Sequence, residues 1–537
     1  MHIVQKNRTL LVTFLMNMAA LGILLLLFYP RFESELDIIM QALLYGINGT
    51  YSSHLLFSNV VLGKVLDICM TGLPMIPWYI VFHYTMAFLS LNIITYITLK
   101  RNDSIMGRAV ASVFLVFAGY ECYICPNYMK TSAVLCAAAI YILFYRIENP
   151  KKGGITATVL AVISSMVCFE IFALTGMIGL IGLLVFVFTK SDKIVWVKRN
   201  CVFLLLILVV PLALEKFDAW DYASNQAWKA SGESRDSLEK ILGYGVPEYN
   251  DELKGELGIN EQDYELLIQG IFTTVNEEAY EMVDGIARET RDIQLSSIGR
   301  FFRTVPIQAF KLGMFYCWIV LLILLFWSGQ KKSRIILGIG LLLLTGSFFG
   351  LYIWNACEYP WIGTLVFLPI CIFTMMGIEK ISIAEKEYVW VYIGILGLIL
   401  YNTFSASLLK TVRDPWELGR LAEQVEENDT TAYIFDINSV LQQYSVFSVY
   451  PKDMIQNKNI YMLNGVYHNV YGLESTMDLG ALRKNSYENL YIQLRESIDP
   501  GRIIEALQNV YIGRQIQYEW VEKSGTTNIY ELYVDEW

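Results

Sequence analysis

Residues 10–30 read LLVTFLMNMAALGILLLLFYP. An uncharged run of this length, coiled as a helix, crosses a hydrocarbon core of ~30 Å, so it sets the class of the whole chain. The composition agrees: of 537 residues, 55% are hydrophobic and only 17% charged, with a mean hydropathy of +0.42. Soluble proteins carry roughly 25% charge, and the expected class is therefore an α-helical polytopic membrane protein. Aromatic residues at 14% suit interfacial Tyr and Trp. The net charge of -10 argues against a nucleic-acid partner. Cys69, Cys136, Cys168, Cys201, Cys317 and Cys371 lie in apolar runs, where a thiol is a small hydrophobe. Cys122 and Cys125 form a C-x-x-C without a partner motif, which reads as a strained disulfide or two interfacial thiols. The first apolar run is span-length and lacks a small-residue cleavage site, so it reads as an anchor.

Eleven segments qualify as spans, near 10–29, 78–99, 107–123, 131–146, 155–169, 171–189, 200–214, 306–327, 335–355, 362–379 and 388–407. Glu170 interrupts the pair at 155–189, which reads either as two spans or as a re-entrant turn. Basic residues collect in alternate loops: Lys6 and Arg8; Lys100 and Arg101; Arg146, Lys151 and Lys152; Lys190, Lys193, Lys198 and Arg199; Lys331, Lys332 and Arg334; Lys380 and Lys386. The intervening turns, ECYICPNYMK and WNACEYPW, hold one lysine between them. Positive charge stays cytoplasmic, so the N-terminus is expected inside and, after an odd number of spans, the C-terminus outside.

The expected organisation is an N-terminal membrane module over 1–214, with a first outer loop at 30–77; an acidic outer loop at 215–304; membrane helices over 305–408; and an outer α/β domain over 409–537. The acidic loop reads as short helices, DSLEKIL, EQDYELLIQGIF and EEAYEMVDGIARET. The last region reads as helix PWELGRLAEQVEE, strands TAYIFDI and NIYMLNGVY, helix DPGRIIEALQN, and a final hairpin turning at Ser524 and Gly525. It contains no glycine-rich phosphate loop, metal-ligand spacing or nucleophile elbow.

Beyond the first span come RFESELDIIMQALLYGINGTYSSHLLFS, residues 31–58, with Glu33, Glu35 and Asp37 crowded together. Ser34 to Asp37 fits a capping box, S-x-x-[DE], and acids in a first turn suit the helix dipole. The helix should run to Tyr45 and stop at Gly46. A second helical run, HLLFSNVVLGKVLDICM, starts at His54 and is broken by GLPMIPWY. Both helices are expected to lie in the outer interface.

Three local patterns accompany this layout: Gly49, Thr50 and His54 after the first outer helix; Asn127, Tyr128 and Thr131 between the third and fourth spans; and GINEQDYELL at 258–267. In these motifs and in span order the chain resembles the GT-C superfamily of membrane glycosyltransferases, and more closely bacterial polytopic proteins related to O-antigen glucosyltransferases. The resemblance implies a plasma-membrane enzyme with a polyprenyl-phosphate sugar donor and an envelope glycan or lipid acceptor, working at the extracytoplasmic face. Relatives of this kind often carry adjacent aspartates where this chain has Leu36 and Asp37, with Glu33 and Glu35 as displaced acids.

Glycosyl transfer requires a base for the acceptor hydroxyl and groups that offset charge on the departing phosphate. Asp37 is the expected base, with Glu35 as its deputy. The phosphate or substrate would meet Arg31, Lys64, Lys130, Arg303, Asn127, Tyr128 and His54, and a divalent cation is a further option. Each basic residue also has a plain role as an interfacial snorkelling side chain, and Glu170 one as a boundary residue. Two other classes fit the same layout: a transporter or flippase for a lipid-linked glycan, which would place charges or broken helices at mid-membrane, and a non-catalytic envelope-assembly protein.

Overall fold

A computed structural model describes residues 2–47, 49–149, 153–188 and 193–243. It also describes 313–327, 360–378, 430–436, 445–449, 460–463, 489–496, 498–510, 515–524 and 527–534, with isolated positions elsewhere. The chain divides into two compact units, each assembled from three stretches. The first comprises Met1–Glu33, Ile80–Phe217 and Ser297–Thr411; the second comprises Ser34–Tyr79, Asp218–Ser296 and Val412–Trp537.

The first unit is built of apolar helices: α1 (His2–Leu27), most of α4 (Trp78–Arg101), α5 (Ile105–Gly119), α6 (Tyr128–Glu148), α7 (Gly154–Val167), α8 (Phe169–Phe188), most of α9 (Lys193–Ser224), α11 (Gly313–Trp327) and α12 (Pro360–Gly377). Among the described residues five helical segments are long and apolar enough to cross a membrane: Arg8–Leu27, Trp78–Arg101, Gly107–Ile124, Tyr128–Ile147 and Val195–Ser224. Four shorter apolar helices lie at Gly154–Val167, Phe169–Leu184, Gly313–Leu325 and Thr364–Gly377. Of the expected spans, 388–407 lies outside the described residues, and 335–355 is described only at scattered positions. Leu10, Leu11 and Leu26 of α1 and Val202, Leu205, Leu208 and Val209 of α9 are exposed; such faces suit lipid contact and point to membrane association.

Buried amides and hydroxyls tie the bundle together, as expected where apolar burial against lipid contributes little. Asn17 in α1 donates to Phe88 O at 3.0 Å and accepts from Tyr123 Oη at 3.1 Å. The doubtful region 155–189 resolves into two helices meeting at an extended Cys168. Ser132, near the start of α6, donates to Ser164 O and Cys168 O, while Gly153 at the other end of α7 abuts Ile142. Hence α7 runs antiparallel to α6. Cys136 contacts Phe172 O and Ile140 packs against Gly179, so α8 runs parallel to α6. The two helices form a hairpin.

In the second unit α2 (Glu35–Tyr45) starts where Ser34 Oγ accepts the Leu36 N–H at 3.1 Å and ends where Gly46, at φ 70°, turns left-handed. Leu36 through Tyr45 are all buried. This corrects the expectation of an interfacial helix: α2 is enclosed by protein, and Gln41 donates to Val446 O and Ser448 O at 3.3 Å. The second outer helix, α3 (Val60–Gly72), begins six residues later than the apolar pattern suggested, because Asn59 caps it through the Val61 N–H at 3.0 Å. Its Val65 and Ile68 are exposed, as are Leu73 and Met75 just beyond, leaving one apolar side uncovered.

Residues 52–59 are therefore a loop, and it lies close against α3. A Cβ on Gly63 would sit 1.8 Å from Ser53 O. Gly63→Ala is accordingly expected to destabilise the second unit by about 1–3 kcal/mol, the range for overpacking a closed contact. Thermal unfolding against wild type measures it.

The C-terminal part holds β1 (Thr431–Asp436), β2 (Ile460–Leu463), β3 (Asn489–Arg495), α13 (Pro500–Val510), β4 (Ile516–Ser524) and β5 (Thr527–Val534). Sheet order is β2-β1-β3-β5-β4, parallel among β2, β1 and β3 and antiparallel across β3, β5 and β4. Ile434, Leu490, Ile492 and Leu532 join Ile503, Ile504 and Leu507 of α13 in one core. The expected strands, helix and hairpin are present; β3 was not anticipated. The helix read at PWELGRLAEQVEE lies outside the described residues.

Candidate active site

The end of α9 organises the site in the second unit. At 1.5 Å per residue, the 30 residues of Val195–Ser224 extend about 45 Å, beyond a ~30 Å apolar core. The final turns carry Asp218, Asp221 and Tyr222, spaced i, i+3 and i+4 and therefore on one face. That face holds the loop before α3. Asp218 Oδ1 accepts the Val60 N–H at 2.7 Å, and its Oδ2 accepts from Arg235 Nη1 at 2.7 Å, Arg235 lying on α10 (Lys229–Gly243). Tyr222 Oη accepts the Leu56 N–H at 2.9 Å, and Arg235 reaches Leu56 O at 3.3 Å. Leu56 is held at φ 62° between these two bonds; a non-glycine residue there stores about 1–3 kcal/mol of strain, which clusters at functional sites.

His54 is seated by the same face. Its Nε2 lies 3.1 Å from Asp221 Oδ2, and Lys64 Nζ lies 3.1 Å from Asp221 Oδ1. The imidazole stacks on Trp228, with centroids 4.8 Å apart and planes 14° apart, and stands edge-on to Tyr222. Ser52 Oγ accepts the His54 backbone N–H at 3.0 Å. The histidine side chain is only 9% exposed. Burial holds its pKa below the usual histidine range, against the raising pull of Asp221 and Asp218; Lys64 adds to the lowering.

Asp37 is fully buried, and its Oδ1 accepts from Tyr79 Oη at 2.8 Å. Tyr79 also lies within 3.9 Å of Met40 Sδ, so phenol and carboxylate share one apolar setting. Glu35, about one-third exposed, pairs with Arg495 of β3 at 3.4 Å. The second unit thus contains Asp37, Glu35, His54 and Lys64 from the expected set.

The first unit contains Lys130, Asn127, Tyr128 and Arg31. Lys130 Nζ sits 2.6 Å from Glu33 and 2.5 Å from Glu121, itself almost wholly buried. Asn127 is the N-cap of α6 through the Met129 N–H at 2.7 Å, Thr131 Oγ1 lies 2.9 Å from His83 Nδ1, and Tyr128 is fully buried. The N-Y-x-x-T pattern thereby serves a helix start. Arg31 donates its backbone N–H to Ile124 O at 3.0 Å. A π-helical turn, Tyr120–Ile124, precedes the cluster; such turns recur at functional sites. Cys122 and Cys125 are free thiols, and burial pushes Cys125 up to about 12.

Arg303 lies outside the described residues, as does most of GINEQDYELL. Among the described residues no three His, Cys, Asp or Glu side chains gather to hold a metal ion. Sequence reading missed Asp218, Asp221, Tyr222, Trp228 and Arg235. The signal was the D-x-x-D-Y spacing on the continuation of α9, which the end of the hydropathic span concealed. No family model matches the chain, and no curated protein matches it either.

Proposed function

We propose that this chain is a GT-C-type glycosyltransferase of the bacterial plasma membrane, moving a sugar from a polyprenyl phosphate to an envelope glycan or lipid at the extracytoplasmic face. The observation that carries the reading is the buried pair, at 2.8 Å, between Asp37 in α2, the first helix after the first apolar helix, and Tyr79 at the start of α4. A carboxylate withdrawn from water and fixed by a phenol is preorganised to oppose the positive charge that develops at an anomeric carbon. In this role Asp37 acts through its charge. The Tyr79 hydroxyl engages one of the two carboxylate oxygens, Oδ1.

The eleven-span topology belongs to the same proposal. Stretches 34–79, 218–296 and 412–537 form one compact unit, and segments that fold together share one side of a bilayer. An even number of spans must then separate them. The eleven-span reading has six between the first two stretches and four between the last two, and the basic loops put the shared side outside.

Membranes containing the full chain, supplied with radiolabelled polyprenyl-phosphate hexoses and envelope lipid, should form a labelled glycan or glycolipid. Asp37→Asn should reduce that product by about 10²–10³-fold, the range for removing one preorganised electrostatic group, at unchanged protein level. Glu35→Gln, losing only a partly exposed ion pair with Arg495, should cost far less. Full transfer by both variants would overturn the site assignment. Movement of the lipid-linked sugar across the membrane with no product would favour a flippase.

A further inference from the structure

The second unit contains a histidine–carboxylate pair with the geometry of an acid–base dyad. We propose that His54 is the proton acceptor for the incoming hydroxyl of the glycan or lipid acceptor, with Asp221 as its positioning residue; the proposal rests on the glycosyl-transfer reading above. An ionised carboxylate only accepts, so the 3.1 Å contact assigns the imidazole proton to Nε2 and leaves the lone pair on Nδ1. Among the described residues nothing hydrogen-bonds Nδ1, and the side chain retains a 9% opening to solvent.

The ring cannot readily swing away. Trp228 stacks on one side, Tyr222 meets it edge-on, Ser52 holds its backbone, and the strained Leu56 two residues on is clamped by Tyr222 and Arg235. Orientation by a carboxylate on one nitrogen, with the other left for proton transfer, is the logic by which hydroxyls are activated in nucleophilic sites. The groups facing the ring are Asp221, Asp218, Lys64, Tyr222 and Trp228. Burial keeps the imidazole uncharged near neutral pH, which supports the assignment. A phosphate-binding role fits less well. Both His54 and Lys64 spend a hydrogen bond on Asp221, so an incoming anion would meet that carboxylate as well.

In the transfer, the acceptor oxygen bonds to the anomeric carbon while the bond from that carbon to the phosphate oxygen breaks. Its electron pair leaves on the polyprenyl phosphate, and the hydroxyl proton passes to Nδ1 and then to water.

The test uses the full-length protein in membranes with the same labelled donors. His54→Gln should lower transfer by about 10²–10⁴-fold, the range for losing a general base. His54→Gly should recover activity with added imidazoles, faster with the more basic ones. Asp221→Asn should lower the rate and move the acidic limb of the pH–rate profile to lower pH, because that carboxylate favours the imidazolium. Loss in His54→Gln without imidazole recovery in His54→Gly overturns the dyad in favour of a structural histidine, as does undiminished transfer by His54→Gln. A wild-type protein that forms no product from any lipid-linked hexose sinks the glycosyl-transfer reading itself.

Discussion

Lys130→Met should lower the thermal stability of the detergent-solubilised protein by about 3–5 kcal/mol, the range for removing one partner from a buried ionic cluster. Lys130 Nζ lies between Glu33 and Glu121, at 2.6 Å and 2.5 Å, and also reaches Cys125 O at 3.3 Å. Methionine fills much of the same volume but leaves two carboxylates facing each other at low dielectric. The deficit should shrink as pH falls. Burial already holds Glu33 above the usual glutamate range; Glu121 adds to the rise, and Lys130 is the main influence opposing it. A carboxyl whose folded pKa exceeds its unfolded value contributes stability at low pH and loses it as pH rises through the folded value. Without Lys130 that value climbs further, so protonation at mildly acidic pH relieves the variant. Lys130→Met with Glu121→Gln should recover part of the loss at neutral pH. Melting curves of the three proteins between about pH 5 and pH 8 decide the matter. A wild-type melting temperature for Lys130→Met throughout would refute the cluster's structural role.

A comparable loss, again about 3–5 kcal/mol, is expected in the second unit for Asp218→Ala. Its carboxylate is 3% exposed and joins three elements, accepting from the first amide of α3 and from Arg235 on α10 while rooted in α9. Alanine strands a partly buried guanidinium and an orphan helix-start N–H together. Asp218→Asn is the informative contrast: its amide oxygen still accepts the Val60 N–H, so it should lose the ion pair and keep the cap. Hydrogen exchange over residues 52–60 should rise strongly in the alanine variant and modestly in the asparagine one. Equal protection in both would mean that the loop is held by Tyr222 and Arg235 alone.

These two residues show where sequence reading succeeds and where it stops. Signals that act within one helical turn were legible: the Ser34 cap, the Gly46 stop, the apolar helices and the final hairpin all depend on near neighbours. The start of α3 was misread because His54 to Ser58 continue an apolar period. What breaks that period is Asp218, Tyr222 and Arg235, more than 150 positions away, taking the backbone groups of Leu56 and Val60. The central strand β3 went unseen although Leu490, Ile492 and Leu494 alternate as a buried strand should. Short alternating runs become strands only when partners pair with them. Likewise α2 reads as amphipathic and interfacial, yet every residue from Leu36 to Tyr45 is buried, and Gln41 donates to carbonyls of Val446 and Ser448, distant in sequence.

The candidate site divides along the same line. Its carboxylate at Asp37 and its histidine at position 54 were visible as residue types in a loop following an apolar anchor. Their settings were not: a phenol on Asp37, and for His54 a carboxylate on one nitrogen with an indole beneath the ring. Hydropathy and capping are properties of adjacent residues, so the chain's order alone decided that it folds largely into apolar helices and where many of them begin and end. Which side chains share a proton, and which charges neutralise one another, depends on distances of about 3 Å between residues far apart along the chain. Only the folded unit, by laying the end of α9 against residues 52–60, decided that.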